Sequence, residues 1–206
     1  MSEPDQTSSD ERHKQRMQRK KAVVDEKIAA ASIERGIVIL LTGNGKGKSS
    51  SGFGMVMRAL GHGFKAAVVQ FIKGAGDEGG ERLFLRRHCP EVEFHVQGTG
   101  FTWETQNKAL DTAAAQAVWQ HAKRLLGDDS VRLVLLDEIT YVLRYGYVDT
   151  DEVIAAIRNR PPLQSVVVTG RGAPPALAEI ADTIAELRDE RHAFKAGIKA
   201  QKGVDF

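Results

Sequence analysis

The sequence predicts an α/β fold: a mostly parallel sheet flanked by helices and preceded by a charged helical arm. Three observations carry that expectation. From Arg35 onward, short apolar runs alternate with helical stretches, the order produced when crossover helices join parallel strands. The first apolar run, residues 37–41, leads through Thr42-Gly43-Asn44-Gly45-Lys46-Gly47-Lys48-Ser49 into a helical segment. A second, nearly unbroken run, residues 131–136, ends in Asp137-Glu138. In open parallel sheets ligands sit beyond the carboxyl ends of the strands, so loop and acids are expected on one rim.

Taken in chain order, residues 1–8 are polar and expected to be disordered. Residues 10–34 read as a helix with a basic run from Arg12 to Lys21 and a thin apolar stripe of Met17, Val24, Ile28 and Ala31. That helix is too polar for a core; a solvated arm is its plain reading, a lid over a site the alternative. Strands are expected at 37–41, 66–72, 92–97, 131–136, 165–169 and 183–187. Helices are expected at 49–60, 105–126, 150–159 and 175–181, the longest burying Leu110, Ala114, Ala117, Val118 and Leu125. Within it, Trp119 and His121 read as packing and helix surface. Residues 73–81, rich in glycine and charge, read as a crossover loop.

Composition narrows the function classes. A chain of 206 residues, 42% hydrophobic and 27% charged, is expected to form one domain with a real core. A net charge of +2 does not argue for nucleic acid. Cys89 is the sole cysteine, which excludes an internal disulfide and a cysteine-cluster metal site. No apolar run approaches membrane-spanning length, and the N-terminus is charged where a signal peptide is greasy, so a cytoplasmic protein is expected.

The loop from Gly43 to Ser50 has the character of a phosphate cradle. Glycines let backbone N–H groups curl around phosphate oxygens, and the following helix N-terminus adds positive potential. Gly43, Asn44, Gly45, Lys46, Gly47, Lys48, Ser49 and Ser50 are therefore the expected nucleotide-binding set. Within it, Lys48 neutralises phosphate charge and the Ser49 hydroxyl joins a Mg²⁺ (or Mn²⁺) shell. Thr42 stands where the general pattern has glycine. The dinucleotide fingerprint fits worse, because Lys48 occupies its third glycine position. One of Asp137 and Glu138 is expected to hold the metal, the other to orient a ligand or support the loop. Arg171, in Thr169-Gly170-Arg171-Gly172, lies on the same rim as either a phosphate contact or a structural ion-pair partner. Arg58 is a further nucleotide candidate whose plain reading is surface exposure. Gly98-Thr99-Gly100-Phe101-Thr102-Trp103 places two aromatics between a strand and a helix. They either anchor to the core or meet a flat, apolar second substrate.

Together these segments resemble the P-loop family of ATP:corrinoid adenosyltransferases. The resemblance rests on TGNGKGKS from Thr42, VVQFIKG from Val68, TGFTWETQN from Thr99, LDEITY from Leu136, TGRG from Thr169 and KAQKGVDF from Lys199. It implies a P-loop NTPase-like (RecA-type) domain over residues 36–206 and an arm or lid over residues 1–35. It also implies transfer of the 5′-deoxyadenosyl group of ATP to the Co(I) centre of a corrinoid, with triphosphate as the leaving group. ATP then lies in the reverse sense to ordinary phosphate-loop enzymes, with C5′ presented for attack. Phe101 and Trp103 are implied to pack under the corrin and displace its lower axial ligand, which eases reduction of Co(II). A reduced flavin carrier as electron donor and a homodimer are implied on the same footing. Two rivals remain from the residues themselves: γ-phosphate transfer or hydrolysis, and a non-enzymatic carrier of ATP and corrinoid. An RNA-binding ATPase ranks below both, since only the arm is basic.

Overall fold

The computed structural model describes residues 4–72, 79–96 and 107–205. The chain falls into two compact units, Met1–Glu34 and Arg35–Phe206.

The first unit is one helix, α1, over Pro4–Ala30. It begins inside the stretch expected to be disordered, and its opening residue suits a helix start. A proline in the first turn lacks an N–H that would have no intrahelical partner anyway. The stripe of Met17, Val24 and Ile28 is exposed.

In the second unit the strands are β1 (Val38–Thr42), β2 (Ala66–Gln70), β3 (Glu93–Val96), β4 (Leu133–Asp137), β5 (Ser165–Thr169) and β6 (Thr183–Glu186). They form one six-stranded sheet in the order β3-β2-β4-β5-β1-β6. Every neighbouring pair is parallel. The helices are α2 (Lys48–Gly61), α3 (Gly80–His88), α4 (Lys108–Leu126), α5 (Ile139–Arg144), α6 (Thr150–Arg158) and α7 (Pro175–Glu179), followed by a 3₁₀ turn at Ala193–Ala196.

Strand side chains alternate between faces, so a parallel sheet needs apolar residues at both parities. Val38, Leu40, Val134, Leu136, Val166 and Val168 point to the layer that holds Trp119, Leu125 and Ile157. Leu41, Val68, Leu135 and Val167 point to the other, against Phe53, Val56 and Leu85. Helices pack on both faces of the sheet. This is the parallel, helix-flanked α/β sheet that the sequence predicts, with β5 between the loop strand β1 and the acid-bearing β4.

Three expectations need correction. Residues 80 and 81, read as loop, open α3. Helix α5, directly after Glu138, had no counterpart in the periodicity because it spans only 6 residues. The buried face of α4 is Asp111, Ala115, Val118, Trp119, Ala122, Leu125 and Leu126. Leu110 is 59% exposed, so that face is turned from the one predicted. The many alanines of α4 weaken the apolar period that would have fixed its rotation.

Candidate nucleotide site

The loop expected to cradle phosphate runs from the end of β1 into the N-terminus of α2. Its shape is set by the chain that follows β6. The Gly45 N–H donates to the Leu187 carbonyl at 2.7 Å, and the Leu187 N–H to the Thr42 carbonyl at 2.9 Å. Gly43 has φ +94°, and a Cβ there would lie 2.4 Å from the Leu187 carbonyl oxygen. Glycine at 43 thus answers both the left-handed backbone and the close approach. Gly47 precedes α2, whose first residues are Lys48, Ser49 and Ser50. The N–H groups of a first helical turn lack intrahelical partners, and together with the helix dipole they favour an anion at this end.

A cavity of about 640 Å³ opens above this loop. Its polar wall comes from Gly45 to Ser50, Glu138, Tyr141 and Arg171; Phe53, Met57, Phe84 and Leu85 supply an apolar wall. The tail of the chain, through His192 and Gly203 to Asp205, closes a further side. An adjoining cavity of about 470 Å³ shares Lys46, His192, Val204 and Asp205 with it. Both volumes fall in the range of small-molecule sites.

Lys48 Nζ donates to the Gly45 carbonyl at 2.6 Å. Burial holds its ammonium below the usual lysine range, and the Arg171 charge adds to that; Glu138 and Asp137 oppose it. The two acids at the end of β4 have different settings. Asp137 is fully buried and forms no part of the cavity wall. Its Oδ2 accepts from Gln70 Nε2 at 2.8 Å and its Oδ1 from the Thr169 hydroxyl at 2.7 Å. Glu138 lines the cavity and sits at φ 61°, the one non-glycine residue with positive φ among the described residues.

The structure therefore gathers Gly45, Lys46, Gly47, Lys48, Ser49, Ser50, Glu138 and Arg171 at one cavity. Gly43 and Asn44 shape the loop without lining that cavity. Arg58 is not among the residues that line it; it lies exposed in the last turn of α2. At about 1.5 Å per residue, the helix carries it roughly 15 Å from Lys48. Phe101 and Trp103 lie outside the described residues. Met57, Phe84, Tyr141, His192 and the Gly203–Asp205 tail were assigned no role from the sequence. KAQKGVDF carried the resemblance, but nothing in its spacing pointed back to the loop.

A strand, glycine-lysine loop and helix on this sheet, with an acid and an arginine across the rim, define a P-loop nucleotide-binding protein. Residues 34–206 match the family described as ATP:corrinoid adenosyltransferase BtuR/CobO/CobP, and residues 1–28 match that of the cob(I)alamin adenosyltransferase N-terminal segment. A corrinoid adenosyltransferase of Pseudomonas aeruginosa is 60% identical over 197 residues, covering 96% of this chain and 97% of the relative. One from Escherichia coli K12 is 54% identical over 198 residues, covering 96% and 100%. The corrinoid adenosyltransferase CobA of Salmonella typhimurium is 53% identical over the same length and coverage. The chain belongs to the ATP:corrinoid adenosyltransferase family.

Proposed function

We propose that this enzyme transfers the 5′-deoxyadenosyl group of ATP to the Co(I) centre of a corrinoid and releases triphosphate. Family membership across residues 34–206 supports the reaction class. The observation that carries it to the site is one cavity that joins a phosphate loop to the apolar wall of Phe53, Met57, Phe84 and Leu85. Transfer of a phosphoryl group to a hydroxyl needs a polar acceptor site at the end of the phosphates. Transfer from C5′ needs a dry, apolar place beside the nucleotide.

Co(I) supplies the electron pair, the Co–C5′ bond forms, and the C5′–O bond breaks with its electrons leaving on triphosphate. No side chain has to act as nucleophile, and the protein's work is positioning and stabilisation of the leaving group. The loop N–H groups, Lys48 and Arg171 hold the triphosphate so that C5′ faces the apolar wall. Ser49 and Glu138 offer hard oxygen donors at the cavity, which fits Mg²⁺ or Mn²⁺. Such an ion supplies further neutralisation of the leaving charge when bound. Asp137, enclosed by Gln70 and Thr169, supports this arrangement from behind rather than lining the cavity.

By the family resemblance, Phe101 and Trp103 are the residues that would pack beneath the corrin and displace its lower axial ligand, which would make Co(II) easier to reduce. A reduced flavin carrier is the electron donor. The enzyme works as a cytoplasmic homodimer in which α1 closes over a loaded site. These readings rest on the resemblance of TGFTWETQN and of the charged arm to the family.

The deciding experiment is anaerobic incubation with ATP and chemically reduced corrinoids, following the Co–C absorption spectrum and the phosphate product. Adenosylcorrinoid with an equivalent of triphosphate is the expected outcome. Diphosphate as product would point to γ-phosphate chemistry. Binding of both ligands with no Co–C bond formed would point to a carrier.

A further inference from the structure

Two turns present opposite charges to the cavity: the β4–α5 turn carries Glu138, and the loop after β5 carries Arg171. Each turn is held by a threonine hydroxyl from the other. Thr169, the last residue of β5, accepts the Glu138 N–H at 2.9 Å and donates its own hydroxyl to Asp137 Oδ1 at 2.7 Å. Thr140, in the first turn of α5, donates to the Arg171 carbonyl at 2.9 Å. Both threonines are fully buried.

The chemistry fixes the direction of the first pair. A carboxylate accepts only, so the Thr169 proton points at Asp137 and a lone pair is left for the Glu138 N–H. Glu138 needs that anchor because φ 61° is a conformation a glutamate rarely keeps without one. On the other side the loop presses against Thr140. Gly170 has φ +140°, and a Cβ there would lie 2.0 Å from the Thr140 hydroxyl oxygen.

We propose that Thr169 and Thr140 are reciprocal positioning residues, which fix Glu138 and Arg171 on the cavity wall through each other's turns. The proposal rests on the reading of Glu138 and Arg171 as groups that hold the nucleotide and its metal. Neither threonine lines the cavity; each acts through the charged residue whose backbone it holds.

The test is a pair of double-mutant cycles read by calorimetry of ATP binding in Mn²⁺, without corrinoid, and by amide hydrogen exchange at Glu138. Thr169→Val should weaken ATP binding about tenfold, the size expected when a buried donor and acceptor lose their partner. Thr169→Ser, which keeps the hydroxyl, should restore it. Adding Thr169→Val to Glu138→Gln should cost nothing beyond Glu138→Gln alone, and Thr140→Val should add nothing to Arg171→Ala. Exchange at the Glu138 amide should quicken in Thr169→Val and not in Thr169→Ser. Additive effects in both cycles, or an unchanged Glu138 amide, would overturn the proposal. If Thr169→Val does not fold, Thr169→Ala and the Thr140 cycle decide the same question. Native ATP affinity in Glu138→Gln would instead remove the ligand role of Glu138, leaving the Thr140–Arg171 cycle to decide positioning.

Discussion

Lys46 Nζ, in the phosphate loop, lies 2.7 Å from Oδ1 of Asp205, near the other end of the chain. The Asp205 carboxylate is braced in turn by the Gln201 N–H at 2.8 Å, so the tail meets the loop with a fixed charge. On the proposed reading of the loop as a phosphate site, that charge would compete with phosphate oxygens for the same ammonium. Asp205→Asn should therefore tighten ATP binding about two- to threefold at low salt, the modest size expected of an exposed pair. The gain should fade as ionic strength rises. Weaker binding in calorimetry would mean that Asp205 serves to hold the tail rather than to compete.

Lys48→Ala should remove most ATP affinity, roughly ten- to a hundredfold, because charge-assisted phosphate contacts are among the stronger hydrogen bonds. The lysine is already partly desolvated and bonded within its own loop, so its ammonium is held at the cavity before any phosphate arrives. Near-normal affinity in the variant would contradict the assignment.

Reduction and transfer should separate at Phe101 and Trp103. Their alanine variants are expected to lose at least about tenfold in turnover that starts from Co(II) with a flavin donor. Starting from chemically prepared Co(I), the loss should be smaller, since the axial-ligand problem is bypassed. Equal losses in the two assays would assign the aromatics to binding or folding. Spectroscopy of bound Co(II) corrinoid should show a four-coordinate signal that weakens in both variants.

The sheet and the phosphate loop were legible because their signals are local. Strand residues such as Val166, Val167 and Val168 are apolar at both parities, which only a doubly covered sheet explains. Loop, Lys48 and Ser49 follow one another directly. The different stations of Asp137 and Glu138 were not legible, since they depend on Gln70 and Thr169 reaching in from separate strands. The tail was illegible for the same reason. Nothing near Asp205 in sequence announces that Lys46 is its partner. Phe84 was hidden because α3 is short and starts beside glycines, so the stretch after residue 81 was assigned no element and its wall of the cavity went unread.

Acid stability should report on Asp182, which bridges the start of β1 and the approach to β6. It accepts from Arg35 Nη1 and from the Val38 N–H at Oδ2, at 2.9 and 2.8 Å. The Arg35 guanidinium, and then the Val38 N–H, lower its pKa from 3.8 to about 2. The unfolded chain therefore binds more protons than the folded one in that window, and stability rises with pH across it. The contribution is complete above about 4 and lost as pH falls through 2. Asp182→Asn should lower the urea midpoint at pH 7, and the gap to the native protein should close between pH 4 and 2. A gap independent of pH would show that Asp182 acts through shape alone.

The last expectation concerns α1. Its side of Met17, Val24 and Ile28 leaves them 39%, 52% and 67% exposed. A stripe this narrow gives a helix little to gain in water by itself, and helices in proteins draw most of their stability from the surface they cover. Residues 1–28 match an N-terminal family segment of their own, distinct from the match over residues 34–206. On the proposed function, a bound corrin would offer a surface to cover, and Co(I) chemistry requires that water and oxygen be kept out. The arm is therefore expected to be loose in the free enzyme and to fold over the loaded site, its own or that of a second copy. Deleting residues 1–27 should leave ATP affinity nearly unchanged while weakening corrinoid binding and Co(II)-dependent turnover. Protease cleavage near Arg19 should slow only when both substrates are present. Full activity of the truncated protein, with proteolysis unaltered by substrates, would return the arm to a solvated appendage.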